Sequence, residues 1–199
     1  MTPVWLHGWP LDERMWEREV ARFAGVAARL YGRGDSIDGW SEQLLAELDG
    51  DDLALVGSSM GGYTALEMAR RAPRRIAAIV LSASKAAADT PERKAFRSEL
   101  IGKLRREGPP PNAAEGVSVE ELVACQAAIR DRPDATEVVR SFPGVLVACA
   151  GTRDDLVTAE EARELAAVAP NGRAEIFDAG HFINLDDPTS FAAMLEGVL

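Results

Sequence analysis

The segment Gly57-Ser58-Ser59-Met60-Gly61 has the pattern G-x-S-x-G. An apolar run typical of a buried strand precedes it, and a segment with helical periodicity follows it. A serine at such a junction lies on a tight turn, and glycine is needed on both sides because a Cβ there would collide with neighbouring backbone. The pattern predicts that Ser59 is a nucleophile held out of a sheet edge. Ser58 is the alternative, but no G-x-S-x-G frame centres on it.

The helix that follows the motif adds to this chemistry. If it begins at Met60, its free N–H groups and its positive dipole end point toward the place where an oxyanion would form. A phosphate-binding loop is excluded because no Gly-Lys-Ser/Thr follows, and a full G-x-G-x-x-G dinucleotide fingerprint is also missing.

A serine nucleophile requires a neighbouring base, and the chain has two histidines, His7 and His181. His181 follows the last predicted strand, at the carboxyl end where the active sites of open parallel sheets assemble. His7 also follows a strand, the first, but no final helix comes after it. We therefore predict that His181 is the base.

A carboxylate at another strand end would fix the tautomer of this histidine and stabilise its charged form. The segment Gly151-Thr152-Arg153-Asp154-Asp155 supplies two candidates directly after an apolar run. Asp154 stands where the chain leaves the strand, whereas the side chain of Asp155 should point in another direction. We predict Asp154, which gives the chain order Ser, Asp, His that is typical of the α/β-hydrolase fold.

The elements that must position these residues alternate between short apolar runs and helical segments, which predicts an α/β protein with a parallel sheet and helices on both faces. The predicted strands are Val4–Leu6, Ala27–Tyr31, Leu53–Gly57, Ile76–Ser82, Val145–Ala150 and Ala174–Phe177. The predicted helices are Asp12–Phe23, Ser41–Leu48, Met60–Ala72, Thr158–Ala169 and Pro188 to the C-terminus.

Residues 83–141 interrupt this alternation, since they contain two or three helical segments and no convincing strand. We expect a small helical lid there, inserted into a single domain that spans residues 1–199. In its first helix, Phe96, Leu100 and Leu104 form an apolar stripe at helical spacing, so this helix should cover apolar surface. A second helix is predicted at about residues 119–130.

The lid helix also carries many basic residues, and these have two interpretations. They are either a solvated charged face or a means of attracting carboxylate-bearing substrates to the mouth of a pocket. Charge reversal at Arg97 and Lys103 would distinguish the two.

Composition limits the partners. The 199 residues carry a formal net charge of -10, which disfavours nucleic acid and anionic membrane surfaces. No run approaches the roughly 20 apolar residues of a membrane span, and no signal peptide is evident. Cys125 and Cys149 are expected to be buried, reduced thiols in a cytoplasmic protein. The oligomeric state is left open.

At these residues the chain resembles α/β-hydrolases of the esterase, lactonase and perhydrolase type, over nearly its whole length. The segment from His7 to Leu11 is similar to the oxyanion loop of that family, and the segment from Tyr31 to Ser36 to its G-x-G-x-S turn. Gly151-x-x-Asp154 and Gly180-His181 match its acid and base motifs. The resemblance implies an oxyanion hole formed by the backbone N–H groups of Trp9 and Met60.

Family members usually begin with two further strands, for which this chain has no room. We therefore expect about six parallel strands, with the first at the topological switch point beside the strand that leads to Ser59. Haloalkane dehalogenases and many epoxide hydrolases share the fold but use an aspartate nucleophile, so Ser59 argues against both.

The expected function is serine-dependent hydrolysis of small carboxylic esters or lactones through an acyl-enzyme on Ser59, with no metal or organic cofactor. One alternative is another reaction of the same triad, such as C–C bond hydrolysis, perhydrolysis or cyanohydrin cleavage. The other is a non-enzymatic receptor that binds a small ligand on the hydrolase fold.

Overall fold

The computed structural model describes residues 1–199, and its centre is one parallel sheet of six strands in the order β2-β1-β3-β4-β5-β6. The strands are β1 (Thr2–Leu6), β2 (Val26–Ala28), β3 (Leu53–Ser58), β4 (Ile76–Ser82), β5 (Val145–Gly151) and β6 (Gly172–Phe177). Every neighbouring pair is parallel. This confirms the predicted fold class, and β1 lies at the switch point between β2 and β3.

Nine α-helices connect and cover the strands. They are α1 (Glu17–Phe23), α2 (Ile37–Glu47), α3 (Met60–Arg71), α4 (Pro91–Glu107), α5 (Val119–Asp131), α6 (Thr136–Ser141), α7 (Ala159–Val168), α8 (Ile183–Asp186) and α9 (Pro188–Glu196). Two short 3-10 helices lie at Glu13–Trp16 and Pro73–Arg75. None of the helices combines the length and the apolar character that a bilayer crossing requires.

Apolar side chains are buried on both faces of the sheet. Successive residues of a strand point to opposite faces, so Val4 and Leu6 join a cluster of 39 buried residues while Trp5 joins a separate cluster of 16. The larger cluster includes residues of α2 to α7, and the smaller one includes Phe191 and Leu195 of α9. Because the central strands are buried on both faces, their carboxyl ends are the places where polar groups can meet a ligand.

Two predicted boundaries are wrong for local reasons. The second strand was expected to run to Tyr31, but β2 ends at Ala28 because the N–H of Leu30 donates to the ring of His7 instead of to a neighbouring strand. Helix α2 begins four residues before the predicted Ser41. The Ser36 hydroxyl accepts a hydrogen bond from the Gly39 N–H and so caps the helix at that earlier point.

The first predicted helix is also divided. Instead of one helix over residues 12–23, a 3-10 helix at Glu13–Trp16 precedes α1. Its tighter turn is closed by the Met15 N–H, which donates to the Asp12 carbonyl, and by the Asp12 carboxylate, which accepts from the Arg14 N–H.

Residues 83–141 form α4, α5 and α6 and contain no strand, as predicted. Within the apolar stripe of α4, Leu104 is buried and Leu100 packs against the larger cluster, whereas Phe96 is 58% exposed. Ile101, which lies outside the predicted stripe, is buried. The helix therefore covers the core with its second half and leaves its first half beside the candidate site.

Candidate active site

Ser59 occupies the turn between β3 and α3. Its backbone has φ 49° and ψ -109°, in the left-handed region that a residue with a side chain rarely adopts. A Cβ built at Gly57 would lie 2.4 Å from the Gly61 carbonyl oxygen, and one at Gly61 would lie 2.0 Å from the Leu6 carbonyl oxygen. Both flanking glycines are therefore required by close backbone packing.

Two hydrogen bonds hold this strained turn. The Ser59 N–H donates to the Ser82 carbonyl at 2.8 Å, and the Ser84 hydroxyl donates to the Ser59 carbonyl at 2.9 Å. Sequence reasoning did not single out Ser84. The available signal was its position as a polar residue just beyond the carboxyl end of β4.

The two adjacent serines have different surroundings. Ser59 lines a cavity at the carboxyl edge of the sheet. Ser58 is fully buried, and its hydroxyl has no hydrogen-bond partner. Of the two hydroxyls, only that of Ser59 faces a space that a substrate could enter.

The two histidines also differ. His7 is fully buried; its Nε2 lies 3.0 Å from the Leu30 N–H and its Nδ1 lies 3.2 Å from the Gly8 carbonyl oxygen. Nε2 therefore accepts and Nδ1 carries the proton. Burial lowers the pKa of His7 to about 4, so the ring is neutral near pH 7. His7 fastens the segment that leads to Trp9, and both its nitrogens are occupied.

His181 lies beyond β6, and Asp154 lies beyond β5. Nδ1 of His181 is 2.9 Å from Oδ2 of Asp154, while Oδ1 of Asp154 accepts the Leu156 N–H at 2.8 Å. Burial raises the pKa of Asp154, but the hydrogen bonds from His181 and from the Leu156 backbone outweigh it and keep this pKa below its usual value. Asp155 is exposed and makes no contact with His181. The carboxylate beside the histidine is therefore that of Asp154.

Backbone contacts bring these two loops together. The Thr152 N–H donates to the Phe177 carbonyl and the Arg153 N–H donates to the Ala179 carbonyl, both at 2.9 Å. A Cβ at Gly151 would lie 2.2 Å from the Ala179 carbonyl oxygen. The Gly151 position thus allows the close approach that places Asp154 beside His181.

A cavity of about 360 Å³ lies between this edge of the sheet and the inserted helices. It is lined by Trp9, Pro10, Ser59, Tyr63, Lys85, Arg93, Phe96, Arg97, Leu100, Gln126, Ile129, Leu156, Val157, His181 and Phe182. Ser59 and His181 share this cavity without a hydrogen bond between them. Catalytic hydrogen bonds are often long in a ligand-free enzyme and shorten when substrate binds.

Backbone donors are available beside Ser59. The Trp9 N–H makes no hydrogen bond within the protein, and Trp9 lines the cavity. Met60 is the first residue of α3, so its N–H has no acceptor within the helix. A buried carbonyl oxygen at this position could accept from such donors. No group of three His, Cys, Asp or Glu side chains converges in a way that could hold a metal ion.

The inserted helix α4 presents Arg93, Phe96, Arg97 and Leu100 to the cavity, at the i, i+3, i+4 and i+7 spacing of one helical face. The two residues proposed for charge reversal do not fit a role in attracting substrate. Lys103 lies outside the cavity lining, and the Arg97 guanidinium is paired with Asp89. The sequence could have indicated Arg93 through its spacing from Phe96 and Leu100.

A model of the alpha/beta hydrolase family matches residues 4–194. The chain therefore belongs to the alpha/beta hydrolase family, in agreement with the sheet order and with the resemblance seen in the sequence.

Among characterised relatives, a pimeloyl-[acyl-carrier protein] methyl ester esterase from Aromatoleum aromaticum is 39% identical over 88 residues. That match covers 39% of this chain and only 35% of the relative.

Similar solved structures cover nearly the whole chain. A thermophilic esterase from Thermogutta terrifontis aligns with a TM-score of 0.89 at 23% identity, over 99% of this chain and 89% of that one. MenH from S. aureus aligns with a TM-score of 0.88 at 19% sequence identity, over 100% of this chain and 93% of that one. The enol-lactonase from Burkholderia xenovorans aligns with a TM-score of 0.79 at 21% sequence identity, over 98% of this chain and 90% of that one. At these identities the likeness establishes the fold.

Proposed function

We propose that this protein is a serine-dependent hydrolase that cleaves small carboxylic esters or lactones through an acyl-enzyme on Ser59. The observation that carries the proposal is the 2.9 Å contact between the buried Asp154 and His181, which lines the same cavity as Ser59. A strained serine after β3, an acid after β5 and a base after β6, all at the carboxyl edge of the sheet, are the parts that acyl transfer needs.

In the proposed mechanism, Nδ1 of His181 keeps its proton and donates a hydrogen bond to the Asp154 carboxylate, which leaves Nε2 free to accept the proton of Ser59. The Ser59 oxygen attacks the ester carbonyl, and the backbone N–H groups of Trp9 and Met60 stabilise the oxyanion. The tetrahedral intermediate collapses as His181 protonates the leaving alcohol. His181 then takes a proton from water, whose oxygen attacks the acyl carbonyl. As the second tetrahedral intermediate collapses, His181 returns that proton to the Ser59 oxygen, and the acid is released.

The size and lining of the cavity support a small substrate. Its volume is near the lower end of the range for small-molecule sites, and eight of its 15 lining residues are hydrophobic. The names of the relatives, a methyl ester esterase, an esterase and an enol-lactonase, point to the same reaction class. We also propose that residues 1–199 form one domain in which α4 to α6 act as the lid of this cavity.

The direct test is steady-state hydrolysis of a panel of p-nitrophenyl esters, alkyl esters and lactones by the purified protein. We expect many turnovers on at least one short-chain or medium-chain ester, and loss of turnover in Ser59→Ala and in His181→Ala. Ser58→Ala is the matched control and should retain activity. Tight binding with at most one turnover would instead indicate a ligand receptor.

A further inference from the structure

The candidate cavity contains three basic side chains and no acidic one. Lys85, Arg93 and Arg97 line it, and no aspartate or glutamate does. The chain as a whole has a formal net charge of -10, so this distribution is the opposite of its average surface. The partners of the three cations decide whether any charge is available to a ligand.

Two of the three have carboxylate partners within the protein. Nζ of Lys85 lies 2.5 Å from a carboxylate oxygen of Glu161. The Arg97 guanidinium is paired with the buried Asp89, and it also donates to Oε1 of Gln126 at 3.0 Å. These two side chains are held in the wall by their protein partners, although Arg97 shares Asp89 with the buried Arg132.

Arg93 is different. Its side chain forms no ion pair and no hydrogen bond, and only its backbone N–H is engaged, with the Thr90 hydroxyl. It lies in the first turn of α4, where a cation is opposed by the helix dipole. Arg93 is partly exposed in the cavity wall, and its position is explained neither by a gain in helix stability nor by an ion pair within the protein.

The neighbours of Arg93 on the same face are apolar. Phe96 and Leu100 follow it one and two turns along α4, and both line the cavity. A planar guanidinium beside apolar surface matches a ligand with a hydrocarbon chain and a carboxylate, which can accept two parallel N–H donors.

We propose that Arg93 is a specificity-determining residue that binds a carboxylate on the substrate, at a position remote from the ester bond being cleaved. The preferred substrates are then half-esters and related anionic esters. This inference rests on the proposed function of the cavity.

The test compares two ethyl esters with chains of the same length, monoethyl suberate, which carries a carboxylate, and ethyl octanoate, which does not. We expect Arg93→Gln to lower kcat/KM for monoethyl suberate about tenfold, mainly through KM, and to leave ethyl octanoate unchanged. A third ester, 6-acetoxyhexanoate, carries the carboxylate on the alcohol side, so the anionic ester with the larger loss identifies which side Arg93 contacts.

Arg106→Gln is the matched control, because Arg106 is an exposed arginine of the same helix that lies outside the cavity. It should change none of the three reactions. An equal effect of Arg93→Gln on the charged and the neutral ethyl ester, or no effect on either anionic ester, would overturn the proposal.

Calorimetric binding of monoethyl suberate to Ser59→Ala, with and without Arg93→Gln, separates this proposal from the hydrolase assignment. If the protein hydrolyses none of the esters, the hydrolase assignment fails, and the role of Arg93 is still decided by binding. Weaker binding in the double variant supports the carboxylate site, and equal binding overturns it. Circular dichroism confirms that each variant is folded.

Discussion

Oδ2 of Asp154 lies 2.9 Å from Nδ1 of His181, while its other carboxylate oxygen accepts the Leu156 N–H at 2.8 Å. The backbone contact fixes the carboxylate, and the carboxylate in turn fixes the imidazole. The aspartate therefore orients the ring and occupies Nδ1, and Nε2 is the nitrogen that the proposed mechanism uses for proton transfer.

Asp154→Asn should lower turnover by on the order of 10⁴-fold, because an amide favours the wrong tautomer and cannot balance the charged imidazole. Asp155→Asn should retain most activity, since that side chain is exposed and does not contact His181. The measurement is kcat on one ester for both variants. The reverse ranking would assign the acid to Asp155, and two active variants would place it elsewhere.

The neutral, buried His7 should make the protein sensitive to mild acid. Its pKa is about 4 in the folded state against 6.5 in the unfolded chain, so between these values the unfolded state binds one more proton. The contribution of neutral His7 to the free energy of unfolding is therefore fully present above pH 6.5 and is lost as the pH falls toward 4. The loss is about 1.4 kcal/mol per pH unit, or about 3 kcal/mol in all.

Urea unfolding of the wild type and of His7→Gln at several pH values isolates this effect. The glutamine oxygen can still accept the Leu30 N–H, but it does not titrate. Glu19, whose pKa is raised by burial, is present in both proteins and cancels in the comparison. Parallel stability curves between pH 4 and 6.5 would show that the prediction for His7 is wrong.

Asp89 should be one of the most important polar residues for stability. Its two oxygens bind Arg97 and Arg132, and the Arg132 side chain is only 4% exposed. Asp89→Ala leaves a buried guanidinium without its counter-charge, which we expect to cost about 3–5 kcal/mol in urea unfolding.

The control for this variant is Asp131→Ala, which breaks the more exposed pair between Arg130 and Asp131. Pairs of that kind contribute at most about 1 kcal/mol. A similar loss of unfolding free energy in Asp89→Ala and Asp131→Ala would contradict the role given to the buried network.

Gly61→Ala should destabilise the protein strongly, because the added Cβ would lie 2.0 Å from the backbone oxygen of Leu6 and neither segment can move freely. In Gly39→Ala, the nearest atom to the new Cβ is 3.8 Å away, inside a helix where alanine is preferred. We expect a gain of about 0.5–1 kcal/mol there. Thermal unfolding compares the two, and a tolerated Gly61→Ala would refute the packing argument.

The sheet could be predicted from the sequence because buried parallel strands are short, continuous apolar runs bounded by polar or glycine residues. The run before Ser59 and the run before Gly151 both match the observed strands closely. The contact between Asp154 and His181 was predicted from their positions at the carboxyl ends of two predicted strands, although they are 27 residues apart.

Features that depend on side-chain partners distant in the sequence could not be predicted. The early end of β2 depends on a hydrogen bond between Leu30 and His7, 23 residues apart. The pairing of Arg97 with Asp89 and Gln126 removed a cation that the sequence suggested as free. Charge patterns show which side chains carry charge, but not which of them the fold neutralises.

The central claim is that Ser59 is the nucleophile, and labelling with a fluorophosphonate probe tests it most directly, because an activated serine attacks the phosphorus as it would a carbonyl. Tandem mass spectrometry of the peptide that contains both serines locates the adduct. We expect one adduct per chain, on Ser59, that is lost in Ser59→Ala and retained in Ser58→Ala. An adduct on Ser58, or no adduct on protein that hydrolyses esters, would contradict it.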